Sequence, residues 1–335
     1  MSAGPVRFFL AAPGGEIERL AGLDPDRDWR ELQTGERAWI LQSYLRLRAA
    51  GRAVELVGRG PASGLVVFHA KQERALLRSG IGRAAVLVGC RADNRQPLAA
   101  EFELLQNGHW AAPGERFWVP HWPQPGLQPR DPGRGARIER IAYKGFLENL
   151  DPEFRGETWR RFLADRGIEW VIDAMTFRGT ETDLGASAWA DFREVDAVLA
   201  VRAPRPGREH SKPATKLTNA WLAGVIPILG PDSAFAELRR SELDFVEVRG
   251  LAEAMAAVDR LRVSPDEVRR RIEHGRSRAP AFSADAVRRR WEDLLYDELP
   301  RLANARRRSA ARRRPLLWRR ALRWLERTLA GRPAR

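Results

Sequence analysis

Short apolar runs alternate with helix-spaced segments from the first residues onward, and after a proline-rich interruption the alternation starts again. Residues 6–10, 54–57, 65–68 and 84–88 read as buried strands, with residues 99–106 a further strand or short helix. Residues 36–50 place Trp39, Ile40, Tyr44 and Leu47 at helical spacing, and another helix is expected from about Lys71. Strands that alternate with helices in this way build a parallel α/β sheet. From 108 to 135 six prolines and five glycines interrupt the pattern. This stretch also holds Trp110, Trp118 and Trp122, so an ordered connector is expected rather than a flexible linker. Strands then recur at 137–143, 168–172, 196–201, 225–229 and 245–248, with helices between them, the first over 153–165. The expected architecture is two Rossmann-like domains facing across a cleft, over residues 1–125 and 126–300, followed by a tail at 301–335. In sheets of this kind ligands bind beyond the carboxyl ends of the strands.

Charge narrows the partners. The net charge of +14 suggests nucleic acid until it is located. Residues 301–335 carry 13 arginines against Glu326 alone, and the other 300 residues are close to neutral. No nucleic-acid partner is expected for the body. The tail holds arginine triplets at 306–308 and 312–314, and a helix is expected from Pro315. On that helix Trp318, Ala321, Leu322, Leu325 and Leu329 share one side, and Arg319, Arg320, Arg323 and Arg327 the other. This pattern suits a basic amphipathic helix lying on an anionic membrane surface through residues 306–329. No secretory signal or membrane span is read, so the expected location is cytoplasmic, with peripheral attachment to the inner face of the membrane. The single cysteine, Cys90, follows an apolar run and is expected to be buried and inert.

Of the 58 lysines and arginines only four are lysine: Lys71, Lys144, Lys212 and Lys216. A compact ammonium kept where arginine is otherwise universal can mark a place where the planar fork does not fit. Lys212 and Lys216 lie in KPATKLTNAWLAGVIPILG. A helix is expected to start near Lys212, capped by Ser211 and ended at Gly224, with Lys212, Lys216 and Asn219 on one stripe. Leu217, Ala220 and Trp221 would form the packed face. Two ammonium groups at the positive end of a helix make an anion site. Arg202, at the end of the strand 196–201, should face the same place.

The run KPATKLTNAWLAGVIPILGPDSAFAELR, together with PHWPQPGL and AYKG, resembles the bacterial GT-B glycosyltransferases over roughly residues 5–300. The resemblance implies a nucleotide-sugar donor in the second domain and an acceptor, a glycan or a lipid-linked glycan, in the first. It implies that Lys216 contacts donor phosphates, that Gly145 lets backbone approach the donor, and that Glu237 is the acidic residue after the proline-containing strand. Asn219 departs from the pattern, standing where retaining relatives carry a carboxylate for the ribose. Lys144, beside Gly145, joins the donor set. The implied activity is metal-independent sugar transfer in cell-surface polysaccharide or lipopolysaccharide synthesis, with no cofactor and no metal site. The alternative is a non-catalytic nucleotide- or glycan-binding protein of the same fold. In the first domain His69, at a strand end, is the candidate general base. Lys71 and the glycines Gly14 and Gly15 are candidates for the acceptor side.

Overall fold

The computed structural model describes residues 4–175, 188–202 and 212–307, which divide into two compact units. The first comprises residues 4–120 together with 287–307, and the second residues 121–286. Among the described residues no helix is long and apolar enough to cross a membrane.

The first unit is built on β1 (Val6–Phe9), β2 (Val54–Val57), β3 (Ser63–His69), β4 (Ala84–Cys90), β5 (Phe102–Leu105) and β6 (Arg116–Trp118). They form one sheet in the order β2-β1-β3-β4-β5-β6, and every pairing is parallel. Helices cover both faces of such a sheet, so its strands bury side chains on both sides. In β4 only Ala84 is exposed. Cys90 is fully buried, and burial pushes its thiol well above the ordinary range, which keeps it unreactive. β6 lies inside the proline-rich stretch that the sequence suggested was all connector. Its three residues are too few to show a period. Residues 287–307 also differ from expectation, because they pack in the first unit. Trp291 is fully buried with its ring 6.3 Å from Trp39 and 6.1 Å from Phe8. Glu292 receives Arg52 at 2.9 Å, and Arg306 donates to the Glu101 carbonyl at 2.8 Å.

The second unit contains β7 (Arg140–Phe146), β8 (Glu169–Met175), β9 (Ala197–Ala200), β10 (Ile226–Leu229) and β11 (Val246–Glu247). Their order is β11-β10-β9-β7-β8, again with parallel pairing throughout. The chain passes from β7 to β8 on one side and then returns to lay β9 on the other. The carboxyl ends of β7 and β9 therefore flank a topological switch point. Successive residues of β7 face opposite ways. Ile141 and Tyr143 enter one core cluster with Leu199 and Ile228, whereas Ala142 enters the other with Val198 and Ala220.

A buried carboxylate fastens the start of this sheet. Asp196, immediately before β9, has no solvent exposure. It accepts from Arg130 at 2.7 Å, from Arg134 at 2.7 and 2.8 Å, and from the N–H groups of Glu139 and Arg140 at 2.8 and 2.9 Å. Burial acts to raise its carboxyl, but the Arg134 guanidinium, the Glu139 N–H, Arg130 and the Arg140 N–H outweigh it and hold the carboxyl below its ordinary value. Asp196→Ala would leave Arg130, itself 4% exposed, without its carboxylate. The expected loss is about 3–5 kcal/mol by urea denaturation. Because the folded value is depressed, the contribution of Asp196 is present in full above about pH 5 and fades as pH falls below about 4.

Candidate functional site

The candidate site lies within the second unit, at the carboxyl ends of β7, β9 and β10. β7 ends in Tyr143, Lys144, Gly145 and Phe146. Arg202 follows β9 by two residues, and Asp232 follows β10 by three. Between β9 and β10 runs the helix Thr215–Ala223, with Lys216 in its first turn.

That helix starts later than its sequence suggests. Its N-cap is Ala214, without a side-chain cap, so Lys212 precedes the helix and does not share a stripe with Lys216. Pro213 does not take the first helical position. Ser211, read as the cap, lies outside the described residues, as does His210. The other end follows the sequence closely. Gly224 takes a left-handed conformation with φ 71°, which glycine tolerates without a Cβ penalty. Leu217, Ala220 and Trp221 form the buried face.

Lys216 is the centre of the arrangement. Its ammonium donates to the carbonyl of Lys144 and sits 4.8 Å from the centre of the Tyr143 ring. Tyr143 in turn donates its hydroxyl to the Phe146 carbonyl at 2.5 Å, closing the turn around Gly145. Gly145 has φ 154°, and a Cβ there would stand 2.6 Å from the Lys216 nitrogen and 3.1 Å from the Tyr143 hydroxyl. The backbone conformation favours glycine, and a Cβ there would displace the Lys216 ammonium. Among the described residues no carboxylate pairs with Lys216. Burial first, then the positive charges of Arg202 and Lys144, push its amine down to about 7. Part of the side chain stays accessible at the surface.

The other donor-side candidates distribute unevenly. Lys144 contributes its carbonyl, but its ammonium turns away to Asp173 at 2.5 Å and to the Ala188 carbonyl at 2.8 Å, over the Phe192 ring. Burial lowers its pKa, opposed by the Asp173 carboxylate. The alternation along β7 explains this, because Lys144 shares the face of Ala142 and not that of Tyr143. Arg202 is committed to Asp232 at 2.5 Å. Asp232 also accepts from the Ala234 N–H at 3.0 Å, capping the helix Ser233–Leu238. The sequence reading omitted Asp232, although an aspartate just before an apolar helical run is an N-cap signature. Asn219 uses its side-chain oxygen to accept from the Gln124 N–H at 3.0 Å, tying the connector to the helix. Glu237 lies half-buried on the helix Ser233–Leu238. Among the described residues no three His, Cys, Asp or Glu side chains group in a way that could hold a metal ion.

In the first unit, β1 and β3 flank a second switch point, since β2 lies on one side of β1 and β3 on the other. Gly14 and Gly15 open the helix Gly14–Ala21, exposed and with open space where a Cβ would stand. The loop after β1 is tied to the loop after β3 by Ala11 N–H to Gln72 at 3.3 Å. Lys71 is exposed and lies 3.5 Å from Glu36. His69 is fully buried, and its Nδ1 accepts from the Lys71 N–H at 3.3 Å. The ring proton of the neutral form is therefore on Nε2, which is buried beside Gly35 without a hydrogen-bond partner. Burial holds the imidazole below its ordinary range; Glu36 and Asp93 act against this and Lys71 with it. In that tautomer Nε2 can donate but not accept, and taking a proton as general base would require the other tautomer.

No model of a known protein family matches this sequence, and no curated protein sequence matches it. Solved structures do match in fold. The Anabaena protein HepE in complex with UDP and glucose is 14% identical, with 88% of this chain and 100% of that chain covered and a TM-score of 0.51. Sucrose-phosphate synthase from Thermosynechococcus elongatus is 12% identical, with 90% and 100% covered and a TM-score of 0.59. AviGT4, a glycosyltransferase involved in avilamycin A biosynthesis, is 14% identical, with 89% and 98% covered and a TM-score of 0.50. The fold is that of the GT-B glycosyltransferases, two Rossmann-like units each built on a parallel sheet.

The state of Lys216 has a measurable consequence. The unfolded lysine keeps its proton to about pH 10.4, whereas the folded one releases it near 7. Between those values the unfolded chain holds more protons, so stability rises with pH. Wild type is expected to gain in thermal midpoint relative to Lys216→Met as pH is raised from about 7 to about 10. Parallel curves for the two proteins would contradict the assignment.

Proposed function

We propose that this protein is a glycosyltransferase that takes a sugar from a nucleotide-sugar donor held by the second unit. The observation that carries this reading is Lys216. It is an ammonium without a carboxylate partner among the described residues, fixed against a glycine turn at the switch point of a parallel sheet. A nucleotide diphosphate gains negative charge as its bond to the sugar breaks. Lys216 and the first N–H groups of the helix Thr215–Ala223 supply positive potential for that charge, with Arg202 close by but paired to Asp232. With this set no divalent ion is needed, and none enters the proposed reaction. Gly145 leaves room for the donor to approach the backbone, while Lys144 is a positioning residue that anchors the turn through Asp173. The fold supports the same reading, since HepE has been captured with UDP and glucose and AviGT4 is a glycosyltransferase.

The acceptor, a glycan or a lipid-linked glycan, is assigned to the first unit, near Gly14, Gly15 and Lys71. A product of cell-surface polysaccharide or lipopolysaccharide synthesis would suit the basic amphipathic pattern read in the sequence at 306–329, of which 308–329 lie outside the described residues. A second reading is a binding protein of the same fold without turnover. Asn219 favours it, because a neutral amide already used to hold Gln124 replaces a carboxylate at that position.

Thermal shift with UDP-, GDP-, CMP- and ADP-sugars tests the donor site. One nucleotide class is expected to stabilise the wild type and to lose most of that effect in Lys216→Ala, and a flat panel would reject the site. Slow hydrolysis of the stabilising donor marks an enzyme, whereas binding without hydrolysis marks the second reading. Removing residues 306–335 is expected to release the protein from anionic liposomes, and equal binding by the shortened chain would reject membrane attachment.

A further inference from the structure

The groups around Lys216 explain more than where an anion would sit. β7 presents the Tyr143 ring and the Lys144 carbonyl. β9 presents Arg202, whose own charge is met by Asp232. The Lys144 ammonium is turned to Asp173 on the other face of the sheet. On its own helix Lys216 is followed by Asn219, whose side-chain oxygen is occupied by the Gln124 N–H, and Lys212 lies before that helix begins. Each carboxylate named here is thus spent on a different cation, and among the described residues Lys216 meets one neutral carbonyl and one ring face. An ammonium in that setting is partly desolvated and gains no counter-charge among the described residues, so its neutral form is more accessible than for a lysine in water. A diphosphate arriving beside it supplies the missing charge and favours the ammonium.

We infer that anion binding at this site is coupled to uptake of one proton by Lys216, so that the empty site rests with a neutral amine and the loaded site holds an ammonium. The inference rests on the donor-site reading above. It gives that site a direction of pH control. With the free amine titrating at about 7, donor affinity is expected to weaken by about tenfold between pH 6 and pH 8. About one proton is taken up per donor bound at pH 8, and almost none at pH 6.

Two measurements on the full-length protein test it. The first needs no ligand. Competitive acetylation from pH 6 to pH 10, read by peptide mass spectrometry, follows each of the four lysines separately. Lys216 is expected to titrate near 7. A Lys216 midpoint near 10 overturns the inference whatever a nucleotide does. The second is calorimetric titration with UDP-glucose, GDP-mannose and ADP-glucose, diphosphate diesters that do not themselves titrate between pH 6 and pH 8. Running each in buffers of different ionisation heat gives the number of protons taken up. About one proton at pH 8, falling to almost none at pH 6, supports the coupling. Tight binding with no proton uptake at pH 8 overturns it and leaves the donor site standing. No binding by any of the three at either pH, with the Lys216 midpoint still near 7, overturns the donor-site reading and the coupling with it.

Discussion

The candidate site depends on the carboxylate of Asp196, which lies far from it along the strands. Asp196 grips the N–H groups of Glu139 and Arg140 where β7 begins and stands directly before β9. The two strands therefore leave the same edge of the sheet in a fixed register, with Ile141 beside Ala197 and Ala142 beside Val198. From that shared start β7 runs on to Gly145 and β9 leads within two residues to Arg202. The buried charge at the amino ends resists slipping of one strand past the other. The same carboxylate holds Arg130 and Arg134, so the segment leading into the sheet is fastened by the same group.

This arrangement sets stability against function in one unit. Asp196 and Asp244 are both fully buried carboxylates surrounded by donors, the latter receiving His274 at 2.9 Å and Arg278 at 2.5 Å. Each is satisfied several times over, which makes a buried charge tolerable. Lys216 is treated in the opposite way. A glutamate in reach of it would stabilise the folded chain and would also occupy the place proposed for a diphosphate. An incompletely satisfied cation beside a strained glycine is the kind of local fault that functional sites retain.

Much of the fold was legible because buried strands of a parallel sheet read as apolar runs and helices as a 3.6-residue period. Nine of the eleven strands among the described residues fall on runs recognised in the sequence. β6 did not announce itself, since three residues among prolines carry no period, and β5 was left between strand and helix. The site was legible in type more than in detail. Gly145, Lys216 and Gly224 sit where a glycine turn, a helix start and a helix end demand them. The start of the Thr215 helix was set too early because Pro213 suits a first turn, yet Ala214 takes the cap. The partners of Lys144, Arg202 and Asn219 were invisible, since Asp173, Asp232 and Gln124 meet them only through the fold.

The contrast between Lys144 and Lys216 gives the scarcity of lysine a physical content. Both ammonium groups meet too few acceptors for a guanidinium fork: one carboxylate oxygen and one carbonyl for Lys144, a single carbonyl for Lys216. A planar group with five donors would leave several of them buried and unmet. The ring faces of Phe192 and Tyr143 fill the remaining space with a surface that favours a cation and accepts no conventional hydrogen bond. Lys71 has no such constraint, being exposed beside Glu36, and arginine would serve there equally well. The lysines that matter are the two on opposite faces of one turn. Alternation along β7 gives Lys144 a permanent partner in Asp173, while its carbonyl holds Lys216 in place for a ligand.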